Sequence, residues 1–245
     1  MKIRNPKSKF HLDIKAGDRV LEVGSGDFPH PRANVLVDKY VNDNYHRCGD
    51  IRVGRKQVFV EADGTSLPFK DKEFDYVICS HTLEHVEDPA AFIAEQFRVA
   101  RRGYMEIPSL LGEYLCPKES HKWISHEHNN VLYLVEKQKL AVAKGYDLGD
   151  LILEYLPKHS IGFKILERTH PNLKSICIEW ENDFAFEINP QDATVMKYFN
   201  GPWQPSWGNE FFPPRSLGQE FKAAFLAFMD ICRSVFLSKV LKKND

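Results

Sequence analysis

The chain has no run of about 20 consecutive apolar residues, the length a helix needs to cross a bilayer, so no spanning helix is expected. The early lysines and arginine are not followed by an apolar stretch, because Phe10 to Ile14 alternates with polar residues; this reads as no signal peptide and a cytoplasmic location. Charge of one sign is scarcely in excess: 33 Lys and Arg against 34 Asp and Glu leave a net charge of −1. That argues against an electrostatic nucleic-acid binder, which is usually basic. The five cysteines, Cys48, Cys79, Cys116, Cys177 and Cys232, are odd in number and none is close to another. They form no metal knuckle or redox pair and read as reduced thiols. There is no Gly-Lys-Ser/Thr, which excludes a phosphate-cradling P-loop. There is also no internal repeat and no low-complexity linker that would split the 245 residues, of which 43% are hydrophobic, enough for a sizeable core.

What is present centres on Arg19 to Asp38. Val20-Leu21-Glu22-Val23 reads as a buried strand running into Gly24-Ser25-Gly26, and Val35-Leu36-Val37 as a second strand ending on Asp38. Strand, glycine turn, strand and acid make the front half of a nucleotide-binding α/β sheet, whose ligands sit at the carboxyl ends of the strands. Glycines let backbone approach a ligand closely, and the acid can accept from both ribose hydroxyls. A dinucleotide fingerprint is not met: Pro29 stands where the third glycine belongs, and Asp38 comes early.

Further along, Gln57 to Asp63 reads as a third strand and Phe74 to Ser80 as a fourth, apolar enough to be buried on both faces. A helix is expected from about Pro89 to Arg101, capped by Asp88 and ended by Gly103, with a fifth strand at Tyr104 to Ile107. Such alternation implies a parallel sheet. Val131 to Glu136 and Lys139 to Val142 are expected to pair around Lys137-Gln138, and Leu148 to Leu156 to be helical. Ser175 to Glu181 and Phe184 to Ile188 read as an antiparallel hairpin through Asn182-Asp183. A terminal helix from about Leu217 to Leu241 carries the apolar stripe Leu217, Phe221, Phe225, Phe228, Cys232, Val235 and Phe236. Residues 1 to 18 read as a polar, basic arm.

Glu22 to Gly26 resembles the first motif of the class I S-adenosylmethionine-dependent methyltransferases, with Phe28 in place of its usual third glycine. Asp63-Gly64, Leu67-Pro68-Phe69, Phe74-Asp75-Tyr76-Val77 and Leu83-Glu84-His85-Val86 resemble recurrent elements of the small-molecule branch of that family, and together these cover roughly residues 19 to 109. A looser similarity is to bacterial glycan-associated methyltransferases. The resemblance implies an α/β, doubly wound, mostly parallel seven-stranded sheet, Rossmann-like, with a substrate-side insertion. It divides one domain, 1–245, into a cofactor-binding core (19–109), an insertion or lid (110–160), sheet-closing strands (161–190), and an aromatic loop with the C-terminal helix (191–245).

The resemblance also implies S-adenosyl-L-methionine as cofactor. Asp38 would take the ribose and Asp63 the adenine amine, with Lys39 and Gly64 beside them. Gly24, Ser25 and Gly26 would form the methionine-side turn. Glu22, near the end of the first strand, needs donors if buried, and the cofactor's ammonium group could supply them. Ser80 and His81 would lie near the transferring methyl. His81 is the expected general base, because histidine titrates near neutrality. Glu106 is a second catalytic candidate, and His85 a pocket-wall residue.

His121, Trp123 and His126 are expected in a polar loop that contacts the acceptor. His126-Glu127-His128 suggests a metal, but its spacing matches no zinc pattern such as His-Glu-x-x-His, so no metal is expected. Trp203, Trp207, Phe211 and Phe212 read either as a platform for a sugar ring or as cover for the sheet edge. The terminal helix, with Lys239, Lys242 and Lys243, reads as packed on its own core, with peripheral contact to an anionic membrane as the alternative. The expected activity is O-methylation of a sugar or sugar-linked hydroxyl in surface-glycan biosynthesis. The alternatives are methylation of another small metabolite (an amine, an acid or a quinone-like compound) and a catalytically silent cofactor-binding scaffold.

Overall fold

A computed structural model describes residues 1–45, 49–140 and 147–241, with side chains through 235. Cys48, Val142, Lys242 and Lys243 lie outside the described residues. The described strands are β1 (Lys2–Arg4), β2 (Val20–Val23), β3 (Val35–Asp38), β4 (Val58–Glu61), β5 (Phe74–Ser80), β6 (Ala100–Pro108), β7 (Trp123–His128), β8 (Val131–Glu136), β9 (Ser175–Glu181) and β10 (Ala185–Ile188). Seven of them form one sheet in the order β1-β9-β6-β5-β2-β3-β4. From β6 through β4 every pairing is parallel, and β9 and β1 close the edge antiparallel. This is the mostly parallel, Rossmann-like α/β fold expected from the sequence. Its inner strands are continuous apolar runs because both faces are covered: all four residues of β2 are buried, as is all of β5 from Tyr76 to Cys79.

The helix Pro89–Val99 carries the crossover from β5 to β6, with Asp88 accepting from the Ala91 amide at its N-terminus. Gly103 does not end this helix; it lies inside β6. There a Cβ would come within 2.4 Å of the Trp180 ring, so glycine makes room for the fully buried indole that packs on the sheet.

Several expectations are corrected. The N-terminal arm contributes a strand: β1 is too short to show a period, but Arg4 reaches the buried Glu179 at 2.6 Å. Glu179 also accepts from Tyr76 Oη (2.5 Å) and from the Asp13 amide (2.9 Å), which draws the arm onto the sheet edge. The hairpin of β9 with its successor does not form. Asn182 turns at φ 64° and Phe184 buries beside Phe97, so the chain leaves the sheet. β10 instead pairs parallel with β8 in a three-stranded sheet, β10-β8-β7. The partner of β8 is β7, not Lys139 to Val142. Asn129 and Asn130 take φ 50° and 62°, the left-handed pair a two-residue hairpin turn requires. Lys137–Lys139 is a single 3₁₀ turn instead.

The helix Leu217–Leu241 forms, but its apolar stripe faces outward: Leu217, Phe221, Phe225, Phe228, Cys232 and Val235 are exposed. Its inner face is set by Ala227 and Ile231, and Asp230 ties it to Arg168 of the helix Ile161–Thr169 at 2.9 Å. Ala227 there allows close helix contact, and the larger aromatic side chains stay outside. Trp207 is buried in a cluster with Tyr198 and Phe199, whereas Trp203 is half-exposed and packs on Trp207 and Phe211. No helix among the described residues is long and apolar enough to cross a membrane.

Candidate active site

The parallel strands end together, and the turns that leave them meet there. After β2, Gly24 (φ 72°) and Gly26 (φ 55°) adopt conformations that other residues rarely take. The turn is pinned to β3: the Gly24 and Ser25 amides donate to the Val37 carbonyl (2.7 and 3.2 Å), and the Gly26 amide to Asp38 Oδ2 (3.2 Å). A Cβ on Gly24 would lie 2.0 Å from Thr82 Oγ1. After β4, Asp63 Oδ1 accepts from the Thr65 amide and hydroxyl (2.9 and 2.7 Å), and Oδ2 pairs with Lys39 at 2.6 Å. Burial would raise the Asp63 pKa, but the bonds from Lys39 and Thr65 outweigh it and hold it below its usual value. Gly64 is as constrained as Gly24, since a Cβ would meet the Phe92 ring at 2.3 Å.

Between these turns lies a cavity of about 230 Å³, bordered by Gly24, Gly26, Asp38, Asp63, His81 and His85. Lys39 and Gly64 also border it. Val86, from the Leu83-Glu84-His85-Val86 element, does so too, as do Thr82 and Lys122, which nothing in the sequence marked. The site fits an adenosyl cofactor on its own geometry. The two glycines, where a Cβ would clash, stand beside the Asp38 and Asp63 carboxylates, and the buried Ser25 hydroxyl has no partner among the described residues.

Glu22, Ser25, Ser80 and Glu106 stand behind the cavity wall. Glu22 is buried and accepts from the His30 amide (2.5 Å), with Lys9 at 3.3 Å. Burial raises its pKa, and Lys9 and the amide only partly offset that. Lys9 thus supplies the donor that the sequence alone would assign to the cofactor. Ser80 donates to Glu106 Oε2 (2.9 Å), as does Tyr104 (2.8 Å).

His81 is held between two acids. Its backbone is at φ 54°, in the left-handed region, where strain in a non-glycine residue is a mark of functional sites. Nδ1 lies 3.4 Å from Glu84 Oε1 and Nε2 3.5 Å from Glu106 Oε1. Burial works to lower its pKa, but the two carboxylates prevail and raise it to about 10. Burial raises that of Glu106, and His81, Tyr104 and Ser80 bring it down to about 2. The two carboxylates thus favour the protonated imidazole.

A group whose folded pKa is raised contributes stability that is full below the unfolded pKa of about 6.5 and fades as pH rises toward the folded value. The unfolding midpoint is therefore expected to fall between about pH 6.5 and pH 10, and His81→Gln to flatten that limb. Midpoints measured across this range for both proteins check it; parallel curves would show that His81 is not so held. The side chain is half-exposed, so solvent screening keeps the effect small.

The segment 121–128 does not act as one loop. Trp123 pins itself through Nε1 to the Val86 carbonyl (2.8 Å). His126 stacks on Phe211, while Glu127 reaches Lys2 and Asn5, so the His126-Glu127-His128 run does not converge on a point. Burial, with His128 nearby, lowers the His126 pKa to about 4. These residues instead border a second, polar cleft of about 340 Å³ with Asn5, Asn130, Asn172 and Glu210. His121 lies elsewhere, against Glu113.

Residues 37–105 match a family model described as a methyltransferase domain. A demethylmenaquinone methyltransferase of Paenarthrobacter aurescens is 33% identical over 98 residues, 38% of each chain. A C-methyltransferase of ubiquinone and menaquinone biosynthesis from Xanthomonas oryzae is 30% identical over 125 residues, 42% of this chain and 48% of its own. The chain thus spans less than half the length of these curated relatives. Among solved structures, a SAM-dependent methyltransferase from Methanosarcina mazei aligns over 41% of this chain and 57% of its own, at 21% identity and a TM-score of 0.33. The family match covers the segment that carries Asp38, Asp63 and His81, so it is this part of the chain that is similar to a methyltransferase domain.

Proposed function

We propose that the chain transfers a methyl group from S-adenosyl-L-methionine to a hydroxyl of a small polar acceptor, a sugar or sugar-linked hydroxyl. The observation that carries this is the cavity at the strand ends, where the Asp38 and Asp63 carboxylates, the glycine turn and His81 meet. The cofactor supplies a methyl carbon made electrophilic by its sulfonium. Asp38 orients the ribose, Asp63 the adenine amine, and the Gly24 to Gly26 backbone the methionine side. His81 and Glu106 are the catalytic pair. An acceptor hydroxyl inserted between His81 Nε2 and Glu106 removes the carboxylate that favours the charged imidazole. The charged imidazole first loses its Nε2 proton to solvent; the neutral Nε2 then takes the hydroxyl proton as the oxygen attacks, with Glu106 accepting no proton but holding the acceptor in line.

The polar cleft beyond Ser109, the residue next after the strand that carries Glu106, supports a hydroxyl-rich acceptor. A quinone-like acceptor is the second reading, favoured by the similarity to the demethylmenaquinone methyltransferase of Paenarthrobacter aurescens. The test is S-adenosylhomocysteine release with sugar and quinol-type phenol panels, for the natural protein and His81→Ala. Product with sugars, reduced roughly 100-fold or more in the variant, is expected. Product with phenols alone would replace the acceptor class. Cofactor binding without product from any acceptor would leave a scaffold.

A further inference from the structure

Outside the catalytic pair, three side chains of ligand type converge: Glu84, His85 and His121. Glu84 is 2% exposed, yet neither of its oxygens accepts a hydrogen bond from the described residues. Its nearest ring nitrogens are only loosely placed, His81 Nδ1 at 3.4 Å and His121 Nε2 at 4.0 Å. A buried carboxylate with no well-directed donor is costly. One ligand atom from each of Glu84, His85 and His121 lies within 4.8 Å of the others. The 3₁₀ turn Leu83–His85 presents the first two, and the Lys122 amide, bonded to the Glu84 carbonyl at 2.7 Å, brings the third alongside.

The histidines are oriented from behind. His121 Nδ1 is 2.5 Å from Glu113 Oε2, and His85 Nδ1 is 3.0 Å from the Ser120 carbonyl. A carbonyl and a carboxylate can only accept, so each Nδ1 carries its ring's proton, and Nε2 is the nitrogen able to ligate. Glu113, itself buried, is held by Lys137 Nζ at 2.5 Å. Carboxylate or carbonyl behind, nitrogen lone pair forward, is how metal-binding histidines are supported.

We propose that Glu84, His85 and His121 bind one divalent transition-metal ion of the zinc type. Two imidazoles with one carboxylate suit zinc, cobalt or iron better than magnesium or calcium, which prefer oxygen alone. His85 also borders the cavity at the strand ends, so an ion held there would sit at its wall. Glu84 also faces His81 Nδ1, but metal binding can be read without cofactor or acceptor, so its failure and that of the methyl-transfer reading are distinguishable.

The test uses Co²⁺ on chelator-stripped protein, read by equilibrium dialysis, ligand-field absorption and thermal unfolding. Expected are one ion per chain, nitrogen-ligand bands and, at a hundredfold excess over the dissociation constant, a midpoint rise of roughly 5–11 °C. His121→Ala and Glu84→Gln, checked for folding by circular dichroism, should each weaken binding roughly 100-fold or more, while His128→Ala should not. Absence of Co²⁺ binding by the natural protein would overturn the site without recourse to any variant. So would binding that both substitutions leave intact, or an equal response to Mg²⁺.

Discussion

Asp38→Ala is expected to abolish the rise in unfolding midpoint that S-adenosylmethionine produces. Asp38 ends β3 at the rim of the cavity, where its carboxylate braces the glycine turn through the Gly26 amide and accepts from the Tyr40 amide at 3.1 Å. A ribose diol would add two bonds to a charged acceptor, each contributing about 1.5–3 kcal/mol. Losing both weakens binding by about 3–6 kcal/mol, roughly 150-fold to 25,000-fold. Cofactor at a hundred times the natural protein's dissociation constant stabilises it by about 2.7 kcal/mol, a midpoint rise of roughly 5–11 °C for a chain of this length. At the same concentration the variant should show almost none. S-adenosylhomocysteine should behave alike and NAD should do nothing. An unchanged rise in Asp38→Ala would remove Asp38 from the cofactor site, and no rise in the natural protein would remove the cofactor.

Gly24→Val should damage both the turn and the fold. Its φ of 72° costs a side-chain-bearing residue about 1–2 kcal/mol, more for a β-branched one, and the new Cβ would sit 2.0 Å from Thr82 Oγ1, adding about 1–3 kcal/mol of overpacking. The expected loss is about 2–5 kcal/mol, with cofactor binding lost as well because the turn that borders the cavity is displaced. Thermal melts give the first quantity and calorimetric titration with S-adenosylhomocysteine the second. Adding Thr82→Ala should restore part of the stability, since it removes the nearest clashing atoms but not the backbone strain. If the double variant is no more stable than Gly24→Val, the Thr82 contact is not the cause.

The elements legible in the sequence are those whose signals are local. β2, β3 and β5 announced themselves as apolar runs, and Asp88 before Pro89 as a helix start. The Asn129-Asn130 turn was legible in principle, since both residues tolerate positive φ, but Val131 to Glu136 drew a partner from the wrong side. β1 left no trace, because three residues show no period and its hold is a distant glutamate.

The site divides in the same way. Residue types and order singled out Asp38, Asp63, Gly24, Gly26, His81 and His85, and the fold gathers all six around one cavity. The sequence by itself determined the parallel core and the acids at its strand ends, because burial on both faces and turn chemistry act over a few residues. Only the tertiary structure decided that the His81 pKa is raised, since that depends on Glu106 from a neighbouring strand. Only it turned the apolar stripe of the last helix outward, since Ala227 and Ile231 had to meet another helix first. It alone also drew His121 to Glu84, because contacts between residues far apart in the chain depend on packing rather than on spacing.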